Sequence, residues 1–238
     1  MRRYVFLFFV LLTMPLSALG DASPRKDQAW SFDVYLGDKQ IGYHRFQATD
    51  LESGLLVRSD AEFQVKVLFI TAFDYMHSNS EVWRDGCLQS IDATTNSNGK
   101  KSGVLGRLEG DTFVVESGSQ PKAVDKCVAS FAYWNRDLLK RDQLLNAQTG
   151  EYLDVEAKAL PQQELKIGAK EIPVEQLHLS AKGIDIVVSY SAENGAWVAL
   201  DTTLENGRTL SYRRSDPAVP AFPAMAMDDS AGAPSARR

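Results

Sequence analysis

Three histidines stand in the 238-residue chain, and two of them keep company that could do chemistry. His44 alternates with Gly42, Phe46 and Ala48, and His77 alternates with Phe73 and Tyr75. Side chains at every second position share one face of a strand. Glu81 has the parity of His77, and Asp74 has the opposite one. An imidazole and a carboxyl on one face can move a proton or hold the polar end of a ligand. A metal suits them less. A His-x-x-x-Glu spacing meets at one ion only on a helix, because four residues of strand span about 13 Å. Two readings of His44, Tyr75, His77 and Glu81 stay open. One is a polar patch at the mouth or wall of an apolar cavity; the other is a satisfied hydrogen-bond cluster in a barrel wall. His178 lies between Leu177 and Leu179, faces away from both and reads as a surface residue.

The elements that position these groups are strands. Trp30, Phe32 and Val34 alternate with polar neighbours, a turn at Gly37-Asp38-Lys39 follows, and the next strand runs from Ile41 to Ala48. Phe63, Val65, Val67 and Phe69 share one parity with Phe73, Tyr75, His77 and Trp83. Turn clusters at Arg84-Asp85-Gly86, Asn96-Ser97-Asn98-Gly99 and Glu109-Gly110-Asp111 separate Leu88–Thr95, Lys101–Leu108 and Phe113–Glu116. Strands resume at Tyr152–Ala159, Leu165–Ile167, Val174–Ser180, Ile184–Tyr190, Trp197–Leu204 and Thr209–Arg213, with hairpin turns at Asn194-Gly195 and Asn206-Gly207. Between the two halves, Ser130 to Asn146 has no interior Gly or Pro, and leucines punctuate its charges. That pattern predicts a helix, with Ser130 or Asn135 as its cap. The expected fold is mainly β: a curved antiparallel sheet or incomplete barrel of about 11–12 strands wrapping one central helix. One helix cannot shield so much concave apolar wall. The interior must fill itself or hold a guest.

The ends read differently from the body. Arg2 and Arg3, the apolar run Tyr4–Leu12 and the small residues around Ser17–Gly20 have the layout of a secretory signal peptide over 1–20. Pro15 interrupts the run, which is shorter than the roughly 20 residues a membrane span needs. The expectation is a periplasmic or secreted protein with no transmembrane span after cleavage. Residues 21–29 form a polar lead-in and 30–214 a single β-barrel-like domain. The stretch 215–238, with four Pro and seven Ala, reads as a disordered tail. In an oxidising compartment the two cysteines, Cys87 and Cys127, read as a disulfide, with two buried thiols as the alternative.

Several functions are disfavoured. The formal charge is −5, without a Lys/Arg cluster, which argues against a nucleic-acid partner. Lys100-Lys101 and Arg213-Arg214 are isolated pairs. Phosphate-cradling glycine loops, the dinucleotide fingerprint and the G-x-S-x-G elbow are absent. No cofactor and no metal are expected.

The run W-S-F-D-V-Y-L-G-D-K-Q-I-G-Y-H-R-F from Trp30 to Phe46 carries a resemblance. So do Tyr75-Met76-His77, Glu81-Val82-Trp83, Gly86-Cys87-Leu88, Phe131-Ala132-Tyr133-Trp134-Asn135 and Gln148-Thr149-Gly150. Together they resemble an uncharacterised family of exported bacterial proteins known only as a domain of unknown function. More distantly, that family is similar to periplasmic lipoprotein-carrier-like (LolA-like) half-barrels. The latter resemblance implies an open barrel around a helical lid with acyl chains in its hollow. It implies no catalytic set.

The expected function is a soluble periplasmic binding or carrier protein for an apolar or amphipathic, lipid-like small molecule. Its expected contacts are His44, Phe63, Val65, Phe69, Phe73, Tyr75, His77, Glu81, Tyr133, Trp134 and Asn135. One alternative is a cell-envelope enzyme using His44, His77 and Glu81 as acid and base. Another is a non-catalytic assembly protein that works on envelope partners through its surface.

Overall fold

The computed structural model describes residues 27–67 and 70–215. The signal-peptide region, most of the lead-in, Phe69 and 216–238 lie outside the described residues. The first seven strands are β1 (Gln28–Leu36), β2 (Lys39–Leu51), β3 (Gly54–Val67), β4 (Ile70–Arg84), β5 (Cys87–Ser97), β6 (Lys100–Glu109) and β7 (Thr112–Glu116). The second seven are β8 (Lys122–Val124), β9 (Gln143–Leu145), β10 (Tyr152–Ile167), β11 (Lys170–Ala181), β12 (Ile184–Ser191), β13 (Trp197–Thr203) and β14 (Thr209–Arg214).

All fourteen belong to one antiparallel sheet, in the order β8-β7-β6-β5-β4-β3-β2-β1-β14-β13-β12-β11-β10-β9. The two ends of the domain meet in its middle, where β1 pairs with β14 from Phe32↔Arg214 to Leu36↔Leu210. The sheet does not close, because no ladder joins β8 to β9. Hairpin chemistry sets the registers. Asp85-Gly86 and Asn98-Gly99 all have positive φ, at 51°, 71°, 51° and 83°. That is the handedness that matches strand twist, and Asp, Asn and Gly tolerate it best.

Alternation is cleanest on β3, where Leu55, Val57, Ser59, Ala61 and Phe63 are buried and Arg58, Asp60, Glu62 and Gln64 are exposed. Gly42 permits close approach of β2 to β3: a Cβ there would sit 1.8 Å from the Glu62 carbonyl oxygen. β10 is one long strand where the sequence predicts two. Its register shifts between Leu160 and Gln163, and Pro161, which has no N–H for a ladder, sits in that bulge.

The central helix is the main correction. Among the described residues there is no α-helix, only a 3-10 turn at Leu138–Lys140. Residues 125–142 instead cross between the two sheet edges. Leu144 and Leu145 lie on β9, paired with Leu153 and Tyr152 of β10. On its other side the Leu145 N–H donates to the Ala129 carbonyl at 2.8 Å, and the Phe131 N–H donates to the Leu145 carbonyl at 3.3 Å.

The reason is burial from several directions. Val128, Ala129, Ala132, Trp134, Leu139, Leu144 and Leu145 are all buried, so the segment has no continuous polar face for a helix to turn outward. Tertiary packing therefore overrides helix propensity. Asn135 caps a turn, its Oδ1 accepting from the Asp137 N–H at 3.0 Å.

The segment is fastened to the sheet near the turn that opens β5. Cys87 and Cys127 are joined by a disulfide, with Cα atoms 4.8 Å apart. The Leu88 N–H donates to the Val128 carbonyl at 2.8 Å. The Arg141 guanidinium donates to the carbonyls of Cys127 (2.7 Å) and Gly86 (3.1 Å). The largest core cluster then joins both halves of the sheet to this segment, through Phe32, Trp83, Phe113, Leu139, Tyr190 and Trp197.

Candidate ligand cavity

The sheet curls around a hollow of about 450 Å³, within the range of small-molecule sites. β2, β3 and β4 line one side, β13 and β14 the other, and the crossing segment contributes Ser130 to Trp134. The void follows from side-chain size. His44, Ala61 and His77 stand in one row across β2, β3 and β4, and Phe46, Ser59 and Asn79 in the next. Ala61 and Ser59 are too small to fill the space between their larger neighbours. Two strand spacings put the backbones of His44 and His77 about 10 Å apart, with Ala61 between them.

Aromatic rings bound the space. Phe46 lies against His44, with ring centroids 4.1 Å apart, and against Trp197 at 5.5 Å. Tyr133 meets Trp197 at 5.3 Å, and Trp134 meets Trp83 edge-on at 5.7 Å. The Tyr190 hydroxyl donates to the Tyr133 carbonyl at 3.0 Å and holds the crossing segment against β12.

Burial keeps the imidazoles and phenols of the site uncharged near neutral pH. His44 is pushed down to about 3, by burial first and by nearby His77 second. Both of its ring nitrogens are shut from water and have no partner among the described residues. His77 is lowered, mainly by burial, and its Nδ1 lies 2.9 Å from the Thr95 hydroxyl. Burial raises the phenols of Tyr75, Tyr133 and Tyr212. Tyr75 and Tyr212 both pack on Phe63, with ring centroids 5.1 Å and 5.9 Å away. None of the residues lining the cavity is Lys or Arg. Asp185 lies on the lining, bonded to His178 at 2.9 Å.

Glu81 is 3% exposed. Burial raises its pKa against the lowering effect of its hydrogen bonds. Asn79 Nδ2 and Trp83 Nε1 donate to its two oxygens, each at 3.0 Å. The raised value means that the folded protein holds this proton more tightly than the unfolded chain. Stability therefore falls as pH rises from the ordinary carboxyl value of 4.5 through the raised one. Glu81→Gln should stay within about 1 kcal/mol of the parent at neutral pH and lose that slope. Urea midpoints at about pH 5 and about pH 8 check this; a variant whose slope matches the parent's would show that the carboxyl does not titrate in this window.

The cavity gathers six of the expected residues: His44, Tyr75, His77, Glu81, Tyr133 and Trp134. Phe63, Val65 and Phe73 do not line it. Phe63 stacks on Tyr75 at 5.1 Å, Phe73 stacks on Tyr75 at 6.3 Å, and Val65 packs on the neighbouring apolar cluster. They back the site from one end. Asn135 is buried in its turn and outside the lining. Glu81 shares the face of His77 but stands four residues further along β4, about 13 Å away. Sequence reasoning missed Trp197, Leu200 and Tyr212, which reach the cavity only because β1 pairs with β14. Phe46 was visible in the alternation with His44. Among the described residues no three His, Cys, Asp or Glu side chains group to hold a metal ion, and no helix is long and apolar enough to cross a membrane.

No curated protein sequence matches the chain. Among solved structures it is similar to the crystal structure of a beta-barrel-like protein of the domain of unknown function DUF1849 from Brucella abortus. The TM-score is 0.55 at 10% identity, covering 79% of this chain and 97% of that one. At that identity the likeness concerns the fold alone. Over residues 32–215 the sequence matches the domain of unknown function DUF6134, and the chain belongs to that family.

Proposed function

We propose that this is an exported binding or carrier protein for an apolar or amphipathic small molecule, held in the hollow between β2–β4 and β13–β14. The observation that carries the reading is the cavity of about 450 Å³, bounded by Phe46, Tyr133, Trp134 and Trp197 and carrying polar side chains such as His44, Tyr75 and Asn79. An apolar pocket with a few converging polar groups is what a small-molecule site requires. Export, by cleavage of the leader at 1–20, is part of the same proposal, as is kinship with the LolA-like half-barrels. His44, Tyr75, His77, Glu81, Tyr133 and Trp134 are its proposed contacts.

The geometry favours binding over acid–base catalysis. Glu81 spends both oxygens on Asn79 and Trp83, and about 13 Å of strand separates it from His77. Native mass spectrometry of protein purified without detergent tests the reading. A reproducible bound mass of one lipid-like compound is the expected result. Protein that is always empty and takes up no apolar probe would overturn it.

A further inference from the structure

We propose that the cavity selects an amphipathic guest whose polar end is uncharged, of the alcohol, amide or ester class, and discriminates against fatty carboxylates and alkylammonium ions. This rests on the binding reading above and adds the chemistry of the head group.

The argument begins with what the lining lacks. With no Lys or Arg among the lining residues, a carboxylate carried inside would lose its water and meet no opposite charge. An ammonium ion fares little better. The buried carboxyl, Glu81, already accepts from an indole and an amide, and the Asp185 side chain, bonded to His178, is 80% exposed to solvent, so it gives an enclosed cation little compensation.

Uncharged hydrogen-bonding groups, in contrast, come from four different elements. Tyr75 comes from β4, Tyr133 from the crossing segment, Tyr212 from β14 and His44 from β2. Each phenol hydroxyl can both donate and accept, and a neutral imidazole offers one nitrogen for each role. Tyr212 lies edge-on to His44, with centroids 5.9 Å apart. The two His44 nitrogens are shut from water and have no hydrogen-bond partner among the described residues. Buried polar groups without partners are uncommon, and a ligand is one of the things that satisfies them. Phe46, Trp197 and Leu200 leave an apolar run for the rest of the guest. Burial keeps the imidazoles and phenols uncharged near pH 7.

The test titrates the full chain at neutral pH with dodecanol, dodecanoate, dodecylammonium and dodecane, following tryptophan fluorescence, since Trp134 and Trp197 line the cavity. Dodecanol should bind at least about tenfold more tightly than either ion. Tyr212→Phe, or Tyr75→Phe should the first fail to fold, should weaken dodecanol about three- to tenfold and leave dodecane unchanged. Dodecanoate or dodecylammonium binding as tightly as dodecanol would overturn the inference while the binding reading stands. So would tyrosine variants that bind dodecanol like the parent. No binding by any of the four probes would overturn both.

Discussion

Replacing Cys87 and Cys127 together by alanine should cost about 4 kcal/mol. The bridge closes a 40-residue loop, and cross-linking a loop of that size removes this much conformational freedom from the unfolded chain. Urea unfolding of parent and double variant gives the number. The slope against denaturant should also steepen, because an uncrosslinked unfolded chain exposes more surface. The native contacts survive the change in part, since Arg141 still spans Cys127 and Gly86 and Leu88 still bonds to Val128. The loss therefore falls mainly on the unfolded state, and the cavity should keep its shape at temperatures where the variant is folded. A difference below about 1 kcal/mol, with no change in slope, would show that the bridge does not restrict the unfolded chain as this account requires.

The second large effect concerns acid. His44 titrates at about 3 in the folded protein, against about 6.5 in an unfolded chain. Between those values the unfolded state binds a proton that the folded state refuses. Stability is thus complete above about pH 6.5 and falls on acidification, by up to about 1.4 kcal/mol per pH unit. His77 is shifted in the same direction, and Glu81 in the opposite one. His44→Phe keeps an aromatic ring beside Phe46 and Tyr212 and removes the titrating group together with two unpartnered nitrogens. Between about pH 6.5 and about pH 4.5 it should lose roughly 2 kcal/mol less than the parent. Near pH 7 it should be no less stable. Parallel stability profiles for the two proteins would rule out His44 as a source of acid sensitivity.

The strands were legible because their signals are local. Alternation through β3 and β4 placed Phe63, Tyr75, His77 and Trp83 on one face, and the Asp85-Gly86 and Asn98-Gly99 turns set the hairpins. The crossing segment was not legible, because its fate depends on distant residues. Ser130 to Asn146 has a helical composition, but Leu144 and Leu145 find strand partners in Tyr152, Leu153 and Ala129, and no periodicity announces those partners. Tyr212 and Trp197 went unnoticed for a related reason. Their place opposite His44 and Phe46 comes from a pairing between the first and last strands, and sequence separation hides it. The row of small residues, Ser59 and Ala61, was in plain view. What it meant became clear only once β2 and β4 stood on either side of β3.

The missing ladder between β8 and β9 has a mechanical consequence. A fully closed cylinder has a fixed girth, set by strand number and tilt, and it can widen only by breaking a whole row of backbone bonds. In this wrap the disulfide and the Arg141 fork tie the crossing segment to the turn that opens β5, and across the gap Ser102 of β6 donates to the Gln148 carbonyl beyond β9 at 3.2 Å. Loosening the last of these costs little, and Gln148 belongs to the loop that also borders the interior. On the proposed binding reading, such a wrap admits guests of different thickness by changing its bore at the gap, without unzipping a strand.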